Sequence, residues 1–250
     1  MRVERGNGWE MHLGSCLDVL PTLGPVDHVI TDPPYETEAH TKQRRPKRGT
    51  GVLAVEPLSF PPLTENERRV SGAEFARLVR RWCLVFCQVE AAMKWRESLA
   101  PLRYVRTCVW YKPDGTPQLT GDRPGMGYES IVVCHAAGAS RWNGGGSCGV
   151  FVHSARWSGG TPHDHPTEKP CSLMLDLVEK FTDEGEVILD AFAGSGTTGI
   201  ACLRLGRRFI GIEKDPRYFD LACERLRAEE QGSTLRARRA GQVALFGGSR

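Results

Sequence analysis

Residues 186–226, EVILDAFAGSGTTGIACLRLGRRFIGIEKDPRYFDLACERL, constrain the fold more than any other stretch of this chain. They read as a strand, a glycine turn, a helix stopped by Gly206, a second strand, and a second helix capped by Asp215 with Pro216 at its first position. Such a βαβα segment cannot bury both faces of its strands alone, so it needs further strands. The turn GSGTTG (194–199) matches G-x-G-x-x-G, in which missing side chains let a ligand approach the backbone while a helix N-terminus faces it. Glu213 ends the next strand, where a carboxylate can accept hydrogen bonds from two ribose hydroxyls, so an adenosine-bearing ligand is indicated. A nicotinamide-binding domain continues with several more strands after this unit. Here only about twenty residues follow the helix ending near 230, so the rest of the sheet is expected upstream, in a permuted order that disfavours a standard dehydrogenase.

Upstream, short apolar runs alternate with helical patterns, as in an α/β sheet covered on both faces. The pattern predicts strands at 10–13, 26–31, 82–87, 104–111, 129–135, 186–190 and 207–212. It predicts helices near 72–80, opened by Ser71 and Glu74 in capping-box spacing, at 89–99, and at 171–182 with Leu173, Leu177, Val178 and Phe181 on one face. Two stretches, 36–70 and 112–165, look irregular and read as insertions or loops. There are no internal repeats.

Composition narrows the class. The chain has 250 residues, 40% of them hydrophobic, which suffices for an ordinary core. No run of about 18 apolar residues occurs and the N-terminus lacks the apolar stretch of a signal peptide, so a cytoplasmic location is expected. The nine cysteines include no CxxC pair and read as buried reduced thiols; HDH (163–165) reads as loop, and no metal is expected. A net charge of +3 is too small for a polyelectrolyte binder, but positive charge concentrates in KQRRPKR (42–48) and LRARRAGQ (235–242).

Three motifs in order, DPPY (32–35), HPTEKP (165–170) and DAFAGSGTTG (190–199), resemble the amino-methyltransferases of DNA, in the permuted class where the catalytic motif precedes the cofactor motif. The middle of the chain, YKPDGTPQLTGDRPGMGYESIVV (111–133) and RWNGGGSCGVF (141–151), resembles compact adenine methyltransferases of phages and prophages. The resemblance implies a doubly wound, mostly parallel α/β sheet of Rossmann-like methyltransferase type with permuted motif order. It also implies one methyltransferase domain over 1–230, target-recognition inserts at about 36–70 and 112–165, and a basic tail at 231–250. The implied cofactor is S-adenosylmethionine. The glycine loop would correspond to Phe192, Gly194, Ser195, Gly196 and Thr197 after Asp190; Glu213 would take the ribose; His165, Thr167 and Lys169 would line the methionine end; Ser15 and Cys16 would lie by the adenine ring.

The chemistry of DPPY follows from the substrate. The lone pair of an exocyclic base amine is delocalised into the ring, which makes it a poor nucleophile. The Asp32 carboxylate and Pro33 carbonyl, fixed by Pro33 and Pro34, would accept its two N–H bonds and localise the lone pair, with Tyr35 stacked on the base. A paired base must flip to reach such a pocket. Adenine N6 is the expected target. Cytosine N4, which usually goes with Ser in place of Asp32, is the alternative within the class, and a catalytically idle DNA-binding module the alternative outside it. Cytosine carbon-5 chemistry is rejected, because Pro170-Cys171 opens a helix instead of following a strand.

The implied partners are double-stranded DNA and a second copy of the chain as a homodimer. Arg44, Arg45, Lys47 and Arg48 are placed to touch phosphates, and Arg141 with Trp142 to make groove or stacking contacts. Gln242, Leu245 and Phe246 resemble the Q-x-x-L-F peptide that docks on a replication sliding clamp. No endonuclease segment is seen, so a solitary protective or regulatory modifier is expected.

Overall fold

The computed structural model describes residues 2–35, 62–115, 124–155 and 168–233. Among these residues nine strands form one sheet: β1 (Arg2–Gly6), β2 (Trp9–Leu13), β3 (His28–Thr31), β4 (Trp82–Cys87), β5 (Arg103–Tyr111), β6 (Tyr128–His135), β7 (Val150–Val152), β8 (Val187–Asp190) and β9 (Arg208–Glu213). Their order across the sheet is β1-β2-β9-β8-β3-β4-β6-β5-β7. The five strands from β2 to β4 run parallel, whereas β1 and β6 each lie antiparallel to their neighbours.

Among the described residues six helices cover it: α1 (Cys16–Val19), α2 (Glu65–Leu78), α3 (Ala92–Ser98), α4 (Cys171–Phe181), α5 (Thr197–Arg204) and α6 (Pro216–Glu230). Every residue of β4 is buried, which is why the sheet needs two covers. Trp82, Leu84 and Phe86 join a layer with α4, α5 and α6, while Cys83, Val85 and Cys87 join the opposite layer with α1, α2 and α3.

All seven expected strands are present within about two residues of their expected ends, and the permuted, mostly parallel sheet is the one expected. Strands β1 and β7 were not expected. Three of the five residues of RVERG are charged, because an edge strand keeps side chains in solvent and anchors by ion pairs: Arg2 to Asp220 at 2.8 Å and Glu4 to Arg227 at 2.5 Å. Strand β7 is three residues long and lies in a stretch expected to be irregular, as does β6. Of the nine free cysteines, six are buried, but Cys16 and Cys171 are only half-buried and Cys148 is exposed. None of the described helices is long and apolar enough to cross a membrane.

The start of α2 is a correction. Thr64, not Ser71, is the cap: its hydroxyl accepts from the Glu67 amide at 3.2 Å and Glu67 returns to the Thr64 amide at 2.8 Å. Residues 65–70, expected to be irregular, are therefore helix. Ser71 is buried mid-helix with its hydroxyl 3.8 Å from the Cys16 thiol. Beside it, Gly72 lets α2 cross α3, since a Cβ there would sit 2.4 Å from the Ser98 carbonyl oxygen. Gly72→Val is expected to cost about 1–3 kcal/mol of stability by forcing the helices apart. Denaturant unfolding would show it, and a change within about 0.5 kcal/mol would mean the crossing is soft.

From β8 the chain turns through α5 to β9 on one side; from β3 it passes through α2 to β4 on the other. The two strands are neighbours, so their C-terminal ends form a topological switch point, where open α/β sheets present a crevice.

Candidate active site

A cleft of about 460 Å³ opens at that point, a size suited to a small-molecule ligand. Asp32 to Tyr35 line it from the end of β3, the glycine turn from the end of β8, Glu213 from the end of β9, and Ser15 and Cys16 from α1.

Asp190 builds the floor. Its carboxylate accepts from Thr31 at 2.7 Å, from Thr198 at 2.6 Å and from the Phe192 amide at 3.1 Å, tying β3 to the glycine turn and to α5. Burial pushes its pKa up from an ordinary 3.8 to about 6, against these three donors. The folded chain thus holds this proton more tightly than the unfolded one. The group's contribution to stability is fully present below pH 3.8 and is lost as pH rises through about 6. We expect a fall of roughly 3 kcal/mol across that window, which Asp190→Asn should remove from the pH profile of denaturant unfolding; an unchanged profile would refute it.

The turn itself is backbone. Gly194 and Gly196 have φ of +51° and +81°, and Gly196, the cap of α5, has no side chain to close its first turn. The Glu213 carboxylate accepts from the amides of Gly194 and Asp215, each at 2.8 Å, and burial still pushes its pKa up against the backbone N–H groups around it. Each oxygen keeps a further lone pair for a hydroxyl donor. Ser15 caps α1 by accepting from the Leu17 amide at 3.3 Å. The Thr197 hydroxyl donates to Glu168 at 3.0 Å, and Arg225 pairs with the same Glu168 oxygen at 2.6 Å.

The other half of the cleft is a charged cluster inside an aromatic collar. Lys169 donates to Asp32 Oδ2 and lies 3.3 Å from Glu129 Oε2. Glu129 also accepts from Lys112 and, at 2.5 Å, from the Tyr35 hydroxyl. The Lys169 ammonium sits 5.2–5.9 Å from the ring centres of Phe86, Tyr35 and Trp110. Burial would lift the Glu129 carboxyl, but the Lys169 and Lys112 ammoniums overcome it and hold it below its ordinary value. Burial lifts Asp32 above its ordinary value against the pull of Lys169. It would lower Lys169, yet the two carboxylates keep that ammonium above its ordinary value and charged. Burial, then Glu129, push the Tyr35 phenol well up, so it stays a neutral donor.

One atom of this cluster is unanswered. Asp32 Oδ1 is buried and has no hydrogen-bond partner among the described residues. An orphaned carboxylate oxygen costs desolvation energy, and in a cleft it is an acceptor kept for a ligand's N–H or O–H.

Residues 140–224, which contain the glycine turn, match the model of a DNA methylase family, N6_N4_Mtase. Over that stretch the chain is similar to the N6/N4 DNA methylases. The chain is also similar to the Type II methyltransferase M2.DpnII of Streptococcus pneumoniae, 47% identical over 76 residues, which are 30% of this chain and 27% of that protein. The matched stretch thus spans little more than a quarter of that relative. Among solved structures, the fold matches the M1.HpyAVI–SAM complex with a TM-score of 0.67 at 24% identity, covering 87% of this chain and 98% of that one. It also matches the cytosine-N4-specific PvuII DNA methyltransferase, with a TM-score of 0.66 at 16% identity over 86% and 85%.

The fold brings together Asp32, Pro33, Pro34, Tyr35, Ser15, Cys16, Lys169, Asp190, Phe192, Gly194, Ser195, Thr197 and Glu213 around one cleft. Lys169, expected at the methionine end of the cofactor, is seated on Asp32. Arg141 and Trp142 are not brought there. They lie where β4 and α4 meet, with Trp142 edge-on to Phe181 and Arg141 paired with Asp183 at 3.1 Å. Trp82, which opens β4, donates to the Arg141 carbonyl at 2.7 Å, so the pair sits at the end of the sheet away from the cleft. His165 and Thr167, the four basic residues Arg44, Arg45, Lys47 and Arg48, the HDH stretch, and Gln242, Leu245 and Phe246 fall outside the described residues. The sequence reading missed Glu129 and Lys112. Their signal was an acid near the start of the mostly apolar strand β6 and a lysine just past the end of β5, the strand opposite it.

Proposed function

We propose that this chain transfers a methyl group from S-adenosylmethionine to the N6 amine of a flipped adenine in double-stranded DNA. The observation that carries the reading is Asp32 Oδ1, a buried acceptor without a partner among the described residues, at the end of β3 beside the glycine turn.

The residues present suit the cofactor. Glu213 keeps acceptor lone pairs for ribose hydroxyls, the uncapped first turn of α5 is open to the ligand, and Ser15 and Cys16 line the cleft where the adenine ring would lie. Bound there, S-adenosylmethionine supplies an electrophilic methyl group on a sulfonium. The chain does the rest by positioning and electrostatics. Asp32 Oδ1 and the Pro33 carbonyl accept the amine's N–H bonds and localise its lone pair, and the prolines hold both acceptors in place. The ring of Tyr35, steadied through its hydroxyl by Glu129, offers a stacking face. Inside the aromatic collar the Lys169 and Glu129 side chains are only 11% exposed, and this low exposure strengthens the electrostatic interactions there.

Cytosine N4 is the second reading, supported by the likeness to the PvuII enzyme; the carboxylate at position 32 favours adenine. Tritium transfer from labelled cofactor to DNA, followed by nucleoside chromatography, tests both. Label in N6-methyldeoxyadenosine is expected. Label in N4-methyldeoxycytidine would shift the target to cytosine, and no label would leave a DNA-binding module without catalysis. The likeness to a Type II methyltransferase supports a role in modification of DNA against restriction.

A further inference from the structure

We propose that Lys169, held beside Asp32 by Glu129, is a specificity-determining residue that donates a hydrogen bond to the ring nitrogen next to the target amine. The Asp32–Lys169 pair thereby reads the amidine edge of the base. This rests on the amine-methylation reading above and extends it to how the base is chosen.

An ammonium has three N–H donors. Lys169 directs one to Asp32 Oδ2 and another to Glu129 Oε2 at 3.3 Å, which leaves one without a partner among the described residues. Beside it, Asp32 Oδ1 is an acceptor equally unmet. The cleft therefore presents an acceptor and a donor next to each other. An amidine edge has the complementary order, an amine N–H donor next to a bare ring nitrogen: N6 and N1 in adenine, N4 and N3 in cytosine. Guanine and thymine show a carbonyl next to a ring N–H, which would set oxygen against Asp32 and N–H against Lys169. A counter-ion for Asp32 alone would need none of the remaining apparatus. Glu129, itself held by Lys112 and Tyr35, and the rings around the ammonium fix where the Lys169 nitrogen sits. The reading needs an unpaired Watson–Crick edge, so it operates on a flipped base.

The test uses the full chain and duplexes chosen because the tritium-transfer experiment above labels them, carrying adenine, 1-deazaadenine or 7-deazaadenine at the target. Wild type is expected to lose roughly 10- to 100-fold in kcat/KM on 1-deazaadenine, the scale of one charged hydrogen bond, and little on 7-deazaadenine. Lys169→Met should lose a similar factor on adenine and then treat adenine and 1-deazaadenine alike. Intrinsic differences in amine reactivity cancel in that comparison. Equal wild-type rates on adenine and 1-deazaadenine, or full discrimination kept by Lys169→Met, would overturn the proposal. Should Lys169→Met fail to fold, Glu129→Gln, which loosens Lys169 without removing it, is expected to shrink the discrimination, and unchanged discrimination would overturn it. If label on unmodified DNA lands on cytosine, 3-deazacytosine replaces the adenine analogue and the same outcomes decide. No label on any base overturns the methylation reading itself, and this inference with it.

Discussion

Asp32→Ala is expected to lower methyl transfer roughly a thousandfold, the upper range for losing one preorganised charge-bearing group, while cofactor affinity stays within about threefold. Asp32 stands at the end of β3, and its partners, Lys169 and through it Glu129, belong to the base-facing half of the cleft. The ribose acceptor Glu213 and the glycine turn are held by a separate set of bonds running through Asp190 and the Gly194 amide. Truncating Asp32 breaks nothing in that second set. The chain should still fold, because the lost carboxylate was itself held at a desolvation cost, as its raised pKa shows. Asp32→Asn keeps one acceptor oxygen and should retain more activity than alanine. Tritium transfer gives the rate and titration calorimetry the affinity. Turnover within tenfold of wild type would remove Asp32 from the chemistry, and loss of cofactor binding would show that the two halves of the cleft are not independent.

What could be read from the sequence was what periodicity and backbone chemistry dictate locally. Leu173, Leu177, Val178 and Phe181 bury one face of α4, and DPPY and GSGTTG end adjacent parallel strands, because a 3.6-residue period and glycine at positive φ leave few options. What escaped was decided by tertiary contact. Thr64-Glu67 and Ser71-Glu74 fit the capping-box pattern equally well, and only the burial of Ser71 against Cys16 and of Gly72 against Ser98 chooses between them. Strand β1 has no apolar alternation because one neighbour strand and a few ion pairs suffice at an edge. The Glu129–Lys112 pair is invisible for the opposite reason. Two charges 17 residues apart meet only because Trp110 and Glu129 stand opposite each other across the β5–β6 register.

Gly196→Val is expected to destabilise the fold by roughly 2–5 kcal/mol and to weaken cofactor binding at least tenfold, through the turn and not by intruding on the ligand. The sequence suggests that a side chain here would block the approach of a ligand to the backbone. The geometry gives it another neighbour: a Cβ on Gly196 would lie 3.1 Å from the Ala222 Cβ and 3.3 Å from its Cα, on α6. Backbone cannot yield as a flexible side-chain tip would. The residue's φ of +81° adds strain that a β-branched side chain tolerates poorly. Relief would have to come from the turn, where the Gly196 amide donates to the Ala193 carbonyl at 2.8 Å and the Gly196 carbonyl accepts from the Ile200 amide at 3.0 Å. Shifting those bonds moves the first turn of α5 and the Gly194 amide that Glu213 holds, so affinity and stability should fall together. Gly196→Ala isolates the contact with α6. In an Ala222→Gly background its cost should shrink, because the two Cβ atoms no longer meet, while the cost of positive φ remains. Denaturant unfolding of the four proteins of that cycle, with calorimetry on each, decides the matter. Stability unchanged in Gly196→Val with affinity lost would return this glycine to a direct role at the ligand.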